Sequence, residues 1–228
     1  VVENNQFGKL FSLNSQQVSS QINKVQFSVY CAAAITELLR KQRDAIGLTT
    51  FSDKIEFNCQ PKSNSVHYKL MYHELEKLLQ PYSNTVHKTT STAQVLHQVA
   101  DTVHKRSLVV IFSDMLDTPD KQDELFKALQ HLKHKKHEVI LFHVMDKEKE
   151  FDFDFGNKPY RFVDMETQEE IKAYPSQIKD VYIKTIKQQQ KELILKCHQY
   201  KIDLIEADIK KGVEHVLIPY LLKRQKMY

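Results

Sequence analysis

The chain has 228 residues, 41% of them hydrophobic and 27% charged, which is enough apolar material for a sizeable core and too much for intrinsic disorder. Its four glycines stand far apart at 8, 47, 156 and 212, so neither a Walker loop nor a dinucleotide-binding Gly-x-Gly-x-x-Gly can be assembled. The net charge of +4 is spread over segments that also carry Glu and Asp, which speaks against a concentrated nucleic-acid footprint.

Residues 1–23 are rich in Asn, Gln and Ser and read as an irregular lead-in to one domain over 24–228. From Lys24 the residues Val25, Val29, Ala32, Ala33, Leu38 and Leu39 recur at helical spacing. Ala45–Phe51 then reads as a short strand, with Lys54–Cys59 alternating as its hairpin partner. Val66 to Leu79 marks a second helix stopped by Pro81, and the threonines at 89, 90 and 92 precede a third carrying Val95, Leu96 and Val99 on its core face. Five apolar residues, Leu108 to Phe112, leave no polar face. A parallel strand covered by helices on both sides is the reading this run supports. A helix over 120–136 and a second apolar strand, Glu138–Met145, complete a βαβ unit. Phe151–Phe155 and Tyr160–Asp164 alternate aromatic and acidic residues and predict a small hairpin near 151–164, turning at Gly156–Pro159. A long helix over 176–200, a strand at Ile202–Glu206 and a closing helix from Val213 follow. The fold class expected is α/β, a doubly wound, mainly parallel sheet flanked by helices.

Three cysteines without a Cys-x-x-Cys pair point to reduced thiols, with Cys31 and Cys197 buried on helix faces. With no apolar stretch of membrane-spanning length and no signal peptide, a cytoplasmic protein is expected.

Ser113 and Asp114 close the central apolar run. The carboxyl ends of strands are where open α/β sheets bind ligands, so Asp114 is the first candidate for chemistry. A capping role at the entry to the next helix competes with that reading. Loops from neighbouring strands would bring the threonine hydroxyls to the same edge, where hard oxygen ligands suit Mg²⁺ or Mn²⁺. Two such groups are too few for a tight site. His131, His134 and His137 sit among lysines that oppose a cation, and His143 reads as a satisfied core histidine. Asp152 and Asp154 fit the solvent face of the expected hairpin better than acid/base chemistry. No Gly-x-Ser-x-Gly elbow supports a hydrolase.

Lys41–Phe51, Arg106–Asp114, His137–Asp146 and Phe162–Thr167, in this order, resemble the domain of unknown function 58, a bacterial family with a von Willebrand factor A-like fold, and Tyr220–Arg224 is similar to its closing helix. The resemblance runs from about Lys24 to the end of the chain. It implies a Rossmann-like sheet, a cytoplasmic protein, and partnership with a MoxR-type AAA ATPase in assembly or maturation of other proteins. It also implies a metal-ion-dependent adhesion site in which Asp114 matches the aspartate and Thr90, or second Thr92, matches the threonine. The Asp-x-Ser-x-Ser loop of that site does not occur before Lys24, nor does the apolar strand that would carry it. The expectation is therefore a non-enzymatic interaction module. It would bind at the strand ends through Ser52, Asp53, Ser113 and Asp114, using an incomplete Mg²⁺ or Mn²⁺ site or no metal at all. A metal-assisted hydrolase using the same edge is the alternative.

Overall fold

A computed structural model describes residues 22–51, 54–80, 92–104, 106–115, 119–155, 160–163 and 170–225. Helix α1 (Lys24–Lys41) starts at a reciprocal cap: the Asn23 side chain accepts from Gln26 N at 2.8 Å, and Gln26 Oε1 accepts from Asn23 N at 3.1 Å. Two otherwise unsatisfied amides are thereby paired, which fixes where the helix begins. Arg40 and Lys41 lie in its last turn, favourably placed against the helix dipole.

Strands β1 (Ile46–Phe51) and β2 (Ile55–Lys62) form the expected antiparallel hairpin, with a register shift between Ile46 and Leu48. Gly47 sits in that irregularity, where a Cβ would lie 2.6 Å from the Cys59 carbonyl oxygen. Only glycine lets the two backbones approach this closely.

Helix α2 (Ser65–Lys77) is capped by Asn64, and α3 (Thr92–Thr102) leads to β3 (Leu108–Ser113). Helix α4 (Pro119–His134) crosses to β4 (Glu138–Met145), after which one π-helical turn spans Lys147–Phe151. Strands β5 (Tyr160–Val163) and β6 (Glu170–Ala173) precede the long α5 (Pro175–Gln199). Strand β7 (Asp203–Asp208), a short 3₁₀ turn at Ile209–Lys211 and α6 (Val213–Gln225) close the described chain.

Strands β3, β4 and β7 form a parallel sheet in the order β3-β4-β7, in unbroken register from Leu108↔Glu138 to Met145↔Asp208. The middle strand faces a core on each side. Val139 and Leu141 pack with Leu96, Leu125, Leu129 and Leu193 of α3, α4 and α5. Ile140, Phe142 and Val144 pack with Phe27, Val216 and Tyr220 of α1 and α6. A strand buried on both faces must be apolar at successive positions, which is why the run at 138–145 lacks alternation. Phe142 is fully buried, its ring stacked on Phe112 at 4.7 Å and meeting Tyr220 edge-on at 5.5 Å. Cys31 and Cys197 are buried in these two cores, as expected.

Two expectations change. Instead of joining one mainly parallel sheet, the described strands divide into three sheets: among the described residues β1 pairs with β2 alone and β5 with β6 alone. The small hairpin is also displaced: Tyr160–Val163 pairs with Glu170–Ala173, whereas Phe151–Phe155 forms no strand. Phe151 and Phe153 are both buried, and Phe153 packs on Tyr182 at 4.6 Å. Burying these alternate aromatics against α5 outweighs the period-two strand pattern. Gly156–Pro159 lies outside the described residues.

Candidate functional site

The three parallel strands end at one rim. Strand β3 delivers Ser113 and Asp114, β4 delivers His143 and Asp146, and β7 delivers Asp208, with Ser113 level with His143 and Met145 level with Asp208. The Ser113 hydroxyl accepts a hydrogen bond from Met115 N at 3.1 Å, holding the turn that follows the strand. Asp146 caps the π-helical turn, its carboxylate accepting from Lys149 N at 3.3 Å. That turn swings Glu150 back over the rim.

Lys24, the first residue of α1, fills the space between them. Its Nζ lies 3.3 Å from Asp114 Oδ2 and 2.6 Å from Glu150 Oε1. Asp114 keeps about half of its side chain in solvent, and Glu150 is largely covered. Burial pulls the Lys24 ammonium down, but Asp114 and Glu150 outweigh it and its pKa lies above the ordinary value. Burial pushes the Glu150 carboxyl up despite the Lys24 hydrogen bond. One ammonium thus serves two carboxylates, leaving the network with a net negative charge. Lys210 reaches Glu148 at 3.5 Å across the same rim.

His143 lies beneath this network, 4% exposed, with Phe151 edge-on at 6.3 Å. The His143 ring hydrogen-bonds to the Asp114 backbone while its Nδ1 has no hydrogen-bond partner, so the core histidine expected is satisfied on one side only. It lines a cavity of about 20 Å³ with Met115, Gln122 and Ile186, room for about one water molecule. Burial holds its pKa below the ordinary 6.5, outweighing the upward pull of Asp114 and Glu206. The sign of the consequence follows. Below 6.5 the unfolded chain takes up the proton and the folded chain resists it, so this contribution to stability is present above 6.5 and is lost as pH falls through the lower folded value. The melting temperature should fall between about pH 7.5 and 5.5, and His143→Gln should flatten that slope. Glu150 acts in the opposite sense only at lower pH, where its raised carboxyl protonates.

Of the residues read from the sequence, Asp114 and Ser113 stand at the strand end. Thr92 is the first residue of α3 and is buried; no hydrogen bond joins it to Asp114. Thr90, Ser52 and Asp53 lie outside the described residues. An ammonium already occupies the cation position beside Asp114, and no group of three or more His, Cys, Asp or Glu able to hold a metal occurs among the described residues. Lys24 and Glu150 went unread in the sequence. Their partners are distant in the chain, and Lys147-Glu-Lys-Glu150 looks like an ordinary solvated charge run.

A larger groove, about 300 Å³, runs along β7 and α6 past Glu138, Asp203, His215 and Lys223. It takes in the first residues of β4 and β7, the strand ends opposite the rim.

A family model described as a protein of unknown function, DUF58, matches residues 11–192. The chain belongs to the DUF58 family. The match covers every parallel strand but β7, and it spans Lys24, Asp114 and Glu150 together. No curated protein and no solved structure matches this DUF58 chain. No helix among its described residues is long and apolar enough to cross a membrane.

Proposed function

We propose that this chain is a non-enzymatic, von Willebrand factor A-like interaction module that serves a MoxR-type AAA ATPase as an adaptor in the assembly or maturation of other proteins. The surface that docks is the carboxyl-terminal rim of β3 and β4. The observation that carries this reading is the Lys24–Asp114–Glu150 network. It is partly exposed and held by three separate elements, so it presents a defined charge pattern at the rim. Its net negative charge suits a basic patch on the partner, where complementarity fixes register and speeds encounter. Lys24 supplies at Asp114 the positive charge that a divalent ion would otherwise bring, so docking proceeds without metal.

Capture of the co-expressed ATPase on the immobilised chain tests the reading. Asp114→Lys reverses the exposed charge and should weaken capture by at least about tenfold. Lys223→Glu disrupts only the Lys223–Asp203 pair at the other end of the strands and should leave capture unchanged. Undiminished capture by Asp114→Lys would place the contact elsewhere.

A further inference from the structure

Away from the rim, α3 and α4 are joined by a pair of imidazoles. His97 Nδ1 and His131 Nδ1 lie 3.0 Å apart, with ring centroids at 5.2 Å and planes 43° apart. Behind them, His131 Nε2 meets Asp101 Oδ1 at 3.5 Å, and Lys135 Nζ meets the same oxygen at 3.0 Å. The Nδ1–H of one ring donates to the Nδ1 lone pair of the other, and the Asp101 carboxylate stands on the far, Nε2 side of His131. A carboxylate on the far side of an imidazole, with the near nitrogen turned towards a second imidazole, is how metal-binding histidines are set up.

We propose that His97 and His131 form a two-histidine site for a divalent transition metal of the Ni²⁺ or Cu²⁺ class, bridging α3 and α4, with water completing the shell. Two metal–nitrogen bonds of about 2.0–2.1 Å spanning this nitrogen separation subtend roughly a right angle at the metal. Adjacent positions of a square-planar or tetragonal shell require that angle, which is the geometry these ions favour. On binding, the proton shared between the two Nδ1 atoms moves to the Nε2 of the ring that carries it, so both rings stay neutral and each donates one lone pair. The Lys135 ammonium opposes the cation, but it sits on the Nε2 side of His131 and is neutralised by Asp101. His134, exposed on the same helix, and His137, buried beyond it, take no part. The run of histidines visible in the sequence is therefore not the site; the partner of His131 comes from the preceding helix.

The site is independent of the docking role proposed above. Calorimetric titration of the full chain with Ni²⁺ at pH 7.5 tests it. One equivalent should bind at micromolar concentration. His97→Gln and His131→Gln should each weaken binding by more than tenfold, Asp101→Asn by about tenfold, and His134→Gln not at all. Because either histidine variant also removes the α3–α4 hydrogen bond, the unaltered chain supplies a second readout: its melting temperature should rise with Ni²⁺ as mass action requires. Uptake only at millimolar Ni²⁺, uptake undiminished in His97→Gln, or no rise in melting temperature would overturn the proposal.

Discussion

Phe142→Ala is expected to lower unfolding free energy by about 3–5 kcal/mol, the usual cost of emptying a buried aromatic site. The ring is completely buried in the middle strand, between Phe112 of β3 and Tyr220 of α6. Truncation removes its own transfer energy and both aromatic contacts. It leaves a hole that neighbours on a hydrogen-bonded sheet cannot close. For a chain of this length the melting temperature should drop by about 10 °C. Phe142→Leu, which refills most of the volume, should recover more than half of the loss in chemical denaturation. Equal losses for the two substitutions would mean that the β4 core is looser than its burial implies.

Lys24→Met should give the second-largest effect, because it strands two carboxylates against each other. The ammonium is about three-quarters covered and Glu150 is covered further, so the loss is not one of a freely solvated surface pair. Removing one member of a fully buried pair costs about 3–5 kcal/mol; with Asp114 half in water, about 1–2 kcal/mol is expected here. A double-substitution cycle isolates the cause. Glu150→Gln in the Lys24→Met background should restore most of the stability, since the remaining carboxylate then faces solvent alone. Additive losses would show that Lys24 acts through its aliphatic stem and not through its charge.

The parts of the fold that were legible are those where one physical demand dominates the residue pattern. Leu108–Phe112 and Val139–Met145 are apolar at successive positions because both faces are covered, and such runs have few alternatives in a short segment. Helix α1 announced itself by its period, and α2 by its apolar run and the stop signal of Pro81. Phe151–Phe155 misled because its alternation of aromatic and acidic residues fits a strand. The same residues can send their rings to α5 from a π-helical turn, which period alone does not reveal. The separation of β1–β2 from the parallel sheet was likewise hidden, since strand pairing is decided by partners far away in the chain.

The same divide runs through the site. The position of Asp114 at a strand end was legible because the apolar run Leu108–Phe112 stops just before it. Lys24 and Glu150 were not, because nothing local distinguishes them from the solvated lysines and glutamates around them. Lys24 follows directly on the Asn23 cap, which sets the helix start and hence which residue faces the rim. The pairing of His131 with His97 escaped for the same reason: His131 was weighed against His134 and His137 of its own segment, and neither helix alone shows that its histidine faces another.

Hydrogen exchange of the chain, alone and with the ATPase proposed as its partner, tests the central claim most directly. The docking account predicts added protection at the start of α1, at residues 113–115 and at the turn 146–151, with the first residues of β4 and β7 unchanged. Protection confined to Asp203, Lys223 and the groove along α6, with the rim exchanging as in the free chain, would contradict it.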